Sequence, residues 1–296
     1  MSTLRRQEPA AAGLKRIACS QVEAAIRSLT RQAGQAANAA QAIEHAHAVL
    51  TLIEPDLPRP TVRRDRAILT KLSRGLAAMT EPAVLTSVLN SRYKKTPSDA
   101  ALTSAVKSLR KRWGSGGRSK AALSSKAGSF NPAIYRLVAD MAELRGHMGN
   151  WPTEDLAPGQ PPRGLRRTYM KARRLANEPL TVDAINPLHN SLSELAIQLG
   201  VISKACPTMI KAQRKLLSRA SDELLELYHN EVIDKALRAE LGKASSKSLP
   251  RKKAIAQRIS GDLTQDLEAA LAETPAGFMK RMQAYWSAWR GQSDAK

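Results

Sequence analysis

Between Arg163 and Ala176 the chain carries two patterns on one helical period. Leu165, Tyr169, Ala172 and Ala176 recur at i, i+4, i+7 and i+11, which makes one apolar stripe. Arg163, Arg167, Lys171 and Arg174 recur at nearly the same spacing on a second ridge, with Arg166 and Arg173 beside it. A helix of this kind buries one face and must offer six cations to solvent, to anions or to both.

The opening of this segment occurs twice. Gly13-Leu14-Lys15-Arg16 matches Gly164-Leu165-Arg166-Arg167 at a separation of 151 residues. Pro55 and Pro207 close similar apolar patterns 152 residues apart, and Leu72-Ser73-Arg74 recurs as Leu217-Ser218-Arg219 at 145. Three anchors in one order at nearly one spacing point to a duplicated helical unit.

The chain has 296 residues, enough for one large or two medium domains. Its hydrophobic fraction of 43% supports a substantial core. Aromatic residues make up only 4%, and Ala and Leu dominate, which favours packed helices over sheets. The formal net charge is +21, which predicts attraction to polyanions such as nucleic acid, polyphosphate or an acidic membrane surface. No run of 18 apolar residues occurs, so no membrane-spanning helix is expected. The first residues do not read as a secretory signal, and cytoplasm is the expected compartment. Cys19 and Cys206 make neither a disulfide framework nor a metal cluster, and both read as inert buried thiols.

Read in order, residues 1–12 form a flexible N-terminus and 13–151 a first helical unit. Its helices fall near 13–33, 36–54 and 61–79, the last with Thr61 as N-cap and the cations Arg63, Arg64, Arg66, Lys71 and Arg74 beside the core stripe. Pro82 reads as the first turn of a further helix that ends near Tyr93. Residues 94–130 read as the least ordered stretch, with a short basic helix to Trp113 and a linker from Gly114 to Lys120. The Pro/Gly-rich segment 152–162 reads as the boundary. A second unit, 163–290, follows, with helices near 163–178, 181–204, 207–228 and 231–242 and two more before the tail 291–296. Lys211, Arg214, Lys215 and Arg219 form a basic ridge in the third of these. The expectation is an all-α chain of two tandem, similar helical bundles forming one compact basic domain.

Little in the sequence looks catalytic. His45 and His47 are two residues apart and face different sides of a helix, which makes a poor metal pair. There is no His-Glu-x-x-His motif, no paired Asp cluster, no Gly-x-Ser-x-Gly elbow and no full P-loop spacing around Gly114 to Lys120. No cofactor or metal is expected. A phosphatase or triphosphatase usually needs an acidic metal cluster, and none is visible. What recurs is cationic ridges on amphipathic helices, suited to a linear polyanion because guanidinium forks grip phosphate oxygens two at a time.

The segment from Gly164 to Arg174, Leu188-His189 followed by the helix to Ile202 and Pro207, Asn230-Glu231, Thr80-Glu81, and the C-terminal run from Glu273-Thr274-Pro275 to Trp289 together resemble a CHAD domain, the conserved histidine α-helical domain. The resemblance spans roughly residues 12 to 290. It implies two similar helical bundles with a basic surface, binding of inorganic polyphosphate, occasional association with intracellular granules, and no catalysis by the domain alone. In the second helix of each half this chain departs from the family pattern. Ala37, Ala40, Glu44 and His47 stand at the family's basic positions in the first half. In the second half His189 remains, and Leu192, Ser193 and Ala196 replace cations.

The polyanion site is therefore expected on Arg16, on Arg63, Arg64, Arg66, Lys71 and Arg74, on Arg163, Arg166, Arg167, Lys171, Arg173 and Arg174, on His189, and on Lys211, Arg214, Lys215 and Arg219. The leading expectation is a non-enzymatic cytoplasmic protein that binds polyphosphate or another phosphate polymer. The alternatives are a sequence-independent nucleic-acid binder, and a structural or granule-associated protein that keeps the fold without the ligand.

Overall fold

The structure, a computed structural model, describes residues 2–31, 35–94, 99–117, 132–153, 160–245 and 261–291. Among these residues the chain is all-α. The helices are α1 (Ala10–Arg31), α2 (Ala36–Ile53), α3 (Arg59–Arg92), α4 (Ala100–Gly117), α5 (Pro132–Gly149), α6 (Gly164–Asn177), α7 (Val182–Val201), α8 (Pro207–Ser245), α9 (Gly261–Leu271) and α10 (Pro275–Gly291). Short 3-10 turns, Glu54–Asp56 and Ser203–Ala205, follow α2 and α7.

Helices α2 and α7 lie at the centre. In α2 Ala39, Ile43, Ala46, Val49 and Ile53 are buried, and so are Ala48 and Leu52 on the other side of the helix. A helix apolar nearly all round must be enclosed by others, and α2 packs against α1, α3, α6 and α7. In α7 Leu188, Leu192, Leu195 and Leu199 are buried together with Ile197 and Val201. Gln198 of α7, fully buried, donates to the Ala48 carbonyl at 3.2 Å and ties the two central helices together. One continuous apolar core runs through residues of both sequence halves.

Each half is laid out in the same order. Helix α1 packs on α2, α2 on α3, and α5 on both α1 and α3; α6 packs on α7, α7 on α8, and α9 on both α6 and α8. The buried positions correspond in register. Val62, Asp65, Leu69, Leu72, Leu76, Leu85 and Leu89 of α3 each find a buried partner in α8 148 residues later: Ile210, Gln213, Leu217, Ala220, Leu224, Ile233 and Leu237. The ion pair Lys71–Asp140 between α3 and α5 has its counterpart in Arg219–Asp266 between α8 and α9, again 148 residues on at the cation. The Leu72-Ser73-Arg74 match at 145 is thus out of register: it aligns buried Leu72 with buried Leu217, and Arg74 with Arg219, which faces another helix.

Two breaks expected from sequence do not occur. Helix α3 runs unbroken through Pro82, and α8 runs through Tyr228 to Glu231. Pro82 removes the hydrogen bond to the Ala78 carbonyl, and that loss falls at an exposed residue rather than in the core. Both long helices change their buried face at this point. Leu76 and Leu85, and likewise Leu224 and Ile233, are nine residues apart, which is half a turn out of phase at 3.6 residues per turn. The first faces enter the main core. The second faces join α4 in a smaller core of Leu85, Leu89, Leu102, Val106, Leu109, Ile233 and Leu237. Helix α3 begins at Arg59 with Pro58 before it and no side-chain cap, so Thr61 is not the N-cap. Backbone helix continues through Gly114 to Gly117, where a linker was expected. Most of the rest of 94–130 lies outside the described residues, as do 154–159 of the expected boundary. Cys19 and Cys206 are free and only half-buried.

Helix α10 closes the second half. Phe278 stacks on Tyr169 with ring centroids 4.0 Å apart, and the Tyr169 hydroxyl donates to the Glu273 carbonyl at 3.0 Å. The N-terminal segment is held along the same end of the core. Leu4 is buried and its N–H donates to the Val201 carbonyl at 3.0 Å, while Arg290 donates to the carbonyls of Arg6 and Glu8.

Candidate polyanion interface

Gly164 fixes where the α6 ridge sits. It is the first residue of α6, and a Cβ there would lie 2.0 Å from the Thr51 carbonyl oxygen and 2.5 Å from that of Leu52. Only glycine lets α6 start against the end of α2. From that contact the helix turns Leu165, Thr168, Tyr169 and Ala172 into the core. The six cations then fall on two different flanks, separated by about 60° or more. Arg163, Arg167, Lys171 and Arg174 share the flank toward α2 and α3. Arg166 and Arg173 share the other, and Arg173 lines a cavity of about 450 Å³ with Leu180, Leu188, Leu263 and Leu267.

The first flank meets the α3 ridge on the turn after α2. Arg66 of α3 donates to Glu54 Oε2, and Arg167 Nη1 of α6 lies 3.9 Å from Glu54 Oε1. Arg163 donates through Nε to Asp56 Oδ1 at 2.7 Å, and a second bond from Nη2 reaches the same oxygen. The ridges of α3 and α6 therefore form the two walls of one groove, and the Glu54–Asp56 turn closes one end. Arg63 and Arg74 flank Arg66 on the same ridge of α3 at helical spacing.

The floor of the groove comes from α2 and α7. Ser193 donates to Glu44 Oε1 at 2.5 Å. His47 Nδ1 lies 3.8 Å from Glu194 Oε1. Burial pushes the His47 imidazole below its ordinary range; Glu194 opposes this, and Arg66 and Lys171 reinforce it. The two central helices thus bring His47, Glu44 and Glu194 among the cations of α3 and α6. None of these three acidic or histidine positions, nor Glu54 and Asp56, was expected from sequence as part of a site. A signal was present: the chain has 26 acidic residues against 47 basic ones, so two acids flanking Pro55 at the end of an apolar helix are informative.

The second ridge lies across the central pair. Arg214 Nε donates to the Ala196 carbonyl of α7 at 3.1 Å. His45, on the opposite side of α2 from His47, is pushed down chiefly by burial and also feels Arg214. Arg219 bonds Asp266, through Nε at 2.8 Å. Arg16 donates to Glu8 Oε2 at 3.0 Å and to the Thr3 carbonyl. Lys71 is held by Asp140 at 2.8 Å and Arg64 donates to Asp65 Oδ1 at 3.0 Å, both away from the groove. His189 is a brace rather than part of either ridge. Its Nδ1 lies 3.0 Å from the Ser221 carbonyl and 2.9 Å from the Ser221 hydroxyl oxygen, which ties α7 to α8.

The seventeen expected residues therefore divide by position. Arg66, Arg163, Arg167 and Lys171 meet at the α3–α6 groove, Arg63 and Arg74 share the α3 ridge with Arg66, and Arg174 of the α6 ridge is paired with Glu178; Lys211, Arg214 and Lys215 lie on the second ridge; Arg16, Arg64, Lys71, Arg173, Arg219, Arg166 and His189 lie elsewhere or brace other elements. Arg63, Arg74, Arg166, Lys171, Lys211 and Lys215 have no ion-pair partner among the described residues and are exposed. Among the described residues no group of three His, Cys, Asp or Glu is placed to hold a metal ion, and no helix is long and apolar enough to cross a membrane. The chain matches no protein-family profile, no curated protein and no solved structure.

Proposed function

We propose that this chain is a duplicated, CHAD-like helical protein that binds inorganic polyphosphate or a closely similar phosphate polymer without catalysing its turnover. The single observation that carries this reading is the convergence of Arg66, Arg163, Arg167 and Lys171 on one groove from two helices. Arg forks on both walls can grip phosphate oxygens in pairs, and a flexible chain can lie along the wall rather than across it. The corresponding buried positions of α3 and α8 support the duplication. The net charge of +21 supports accumulation of polyanions near the surface. A cytoplasmic protein, associated with polyphosphate granules, is the cellular reading that goes with this.

The test is binding of long-chain polyphosphate to wild type and to a variant with Arg63, Arg66, Arg167 and Lys171 changed to Ala. Wild type should bind at physiological salt. The variant should lose at least about tenfold in affinity, and its slope of log K against log salt should fall by roughly three, because each lost phosphate contact removes one released counterion. Polyphosphate should outcompete duplex DNA of equal charge. Equal competition by DNA would move the reading to sequence-independent nucleic-acid binding. No binding by wild type would leave a fold that has lost the ligand, and turnover with added Mg²⁺ or Mn²⁺ would overturn the non-enzymatic reading.

A further inference from the structure

In the free protein the groove is already occupied by its own carboxylates. Arg66 and Arg167 share the two oxygens of Glu54, and Arg163 is held by Asp56. Three cations of the groove are thus held by this turn before any ligand arrives. The three acidic contacts come from one short turn, and the chain supplies that turn on one side only. The positions 149 residues on, where the buried residues of α2 and α7 correspond, are Ser203 and Ala205. On that second side Arg16 is instead bonded by Glu8 of the N-terminal segment.

We infer that Glu54 and Asp56 set the charge density a ligand must carry to enter the groove, selecting condensed phosphate chains over polymers whose charges are separated by sugars. This rests on the polyanion reading above and adds its specificity. A ligand oxygen that takes Arg66, Arg163 or Arg167 exchanges one anion for another, so that contact by itself gains little. The displaced carboxylates remain on the turn and repel the newcomer. Entry is favourable only when the same ligand also reaches unpaired cations such as Lys171 and Arg63. A chain with a charge on every phosphorus and no sugar between them reaches several at once. A single-stranded nucleic acid places fewer charges within the same length of groove.

The experiment compares wild type with the Glu54→Gln, Asp56→Asn double variant. The probes are polyphosphate of one fixed length and a single-stranded oligonucleotide with the same number of charges, read by competition with a labelled probe over a range of salt. The variant should bind both probes more tightly and gain more for the oligonucleotide. The preference of wild type for polyphosphate should shrink at least about tenfold. The salt slope should steepen by about two to three, because the three freed guanidinium groups now take part in counterion exchange. A role of the turn in folding alone would not move that slope. Affinities within about twofold of wild type with unchanged slopes would overturn the inference while leaving the polyanion reading intact. Failure of wild type and variant alike to bind either probe at low salt would overturn both. Should the double variant not fold, Glu54→Gln alone keeps the Arg163–Asp56 bond and frees Arg66 and Arg167, and the slope should then steepen by between one and two.

Discussion

Gly164→Ala should be the most damaging single methyl group that can be added to this chain. The new Cβ would lie 2.0 Å from the Thr51 oxygen, 2.5 Å from the Leu52 oxygen and 2.7 Å from the Leu52 carbonyl carbon. All three are backbone atoms at the end of α2, where no rotamer change can make room. Relief to even 3.0 Å requires α6 to withdraw by about 1 Å, and a close-packed interior resists that movement. Withdrawal also loosens Leu165 and Tyr169, both fully buried, and with Tyr169 the stack on Phe278. The loss should be about 3 kcal/mol, at the upper end for overpacking. For a chain of this size that lowers Tm by roughly 5 °C.

The assay is urea unfolding followed by far-ultraviolet circular dichroism, with two controls. Gly13 stands at the matching place of the repeated tetrapeptide, but its Cβ would meet the side-chain ends of Leu4 at 2.5 Å and Glu8 at 2.6 Å. Those are side-chain ends rather than backbone, but Leu4 is fully buried and Glu8 is bonded to Arg16, so Gly13→Ala should lose about 1–2 kcal/mol, less than Gly164→Ala. At Gly146 nothing lies within 4 Å. There Ala should stabilise α5 by up to about 1 kcal/mol through reduced freedom of the unfolded chain and better helix propensity. A Gly164→Ala midpoint within about 0.5 kcal/mol of wild type, or equal losses at Gly13 and Gly164, would refute the reasoning.

Trp151 donates through Nε1 to Asp65 Oδ2 at 2.8 Å, with both residues buried, so Trp151→Phe should cost about 2 kcal/mol or more by leaving a buried carboxylate short of a donor. Pairing it with Asp65→Leu should cost less than the sum of the two single changes, measured as a double-mutant cycle in urea. His45, His47 and His229 all have their imidazoles pushed below the ordinary range, mainly by burial. For a group depressed in the fold, the stability is fully present above the unfolded pKa, about 6.5, and is lost as pH falls through the folded value. The urea midpoint should therefore drop between pH 7.5 and pH 5, and less steeply in His45→Gln; a midpoint that rises over this interval would contradict the burial of these rings.

Periodicity made most of the helices legible. The stripe of Leu165, Tyr169, Ala172 and Ala176 is a local signal, and its first three residues are buried on α6, with Thr168 buried beside them and Ala176 only half-buried. The likeness of the two halves was legible as an order of anchors but not as a register. Three-residue matches do not feel burial, whereas the positions that do, such as Asp65 and Gln213, differ in chemistry. Both lie in the core and both satisfy a distant group, Trp151 in one case and the Ala270 carbonyl in the other. The break at Pro82 was expected from the proline and that at Tyr228 to Glu231 from a polar run, and a real feature lies beneath both. The apolar stripe does end there, but it ends because each helix leaves one core and enters another on its opposite face. A window along the chain sees the stripe stop; only the packing of α4 between α3 and α8 shows it resume half a turn away.

The candidate site was half legible for a related reason. Cations on amphipathic helices announce themselves by spacing, and those of α3 and α6 do meet. What sequence spacing does not carry is the partner each cation finds across the fold. Arg163 and Asp56 are 107 residues apart, Ser193 and Glu44 149, and Arg219 and Asp266 47. Counting cations therefore overstates the groove, because a charge already paired contributes little to a newcomer. The net charge of +21 measures attraction at long range, while on the proposed reading Glu54 and Asp56 set what happens on contact. These two scales separate experimentally. Long-range attraction is screened by salt within about 10 Å at 0.1 M, whereas exchange of Glu54 for a phosphate oxygen on Arg66 is a local event that salt changes far less. A protein built this way should associate with many polyanions at low salt and retain few of them as salt rises, and on this reading the two carboxylates of the turn, rather than the forty-seven cations, decide which it retains.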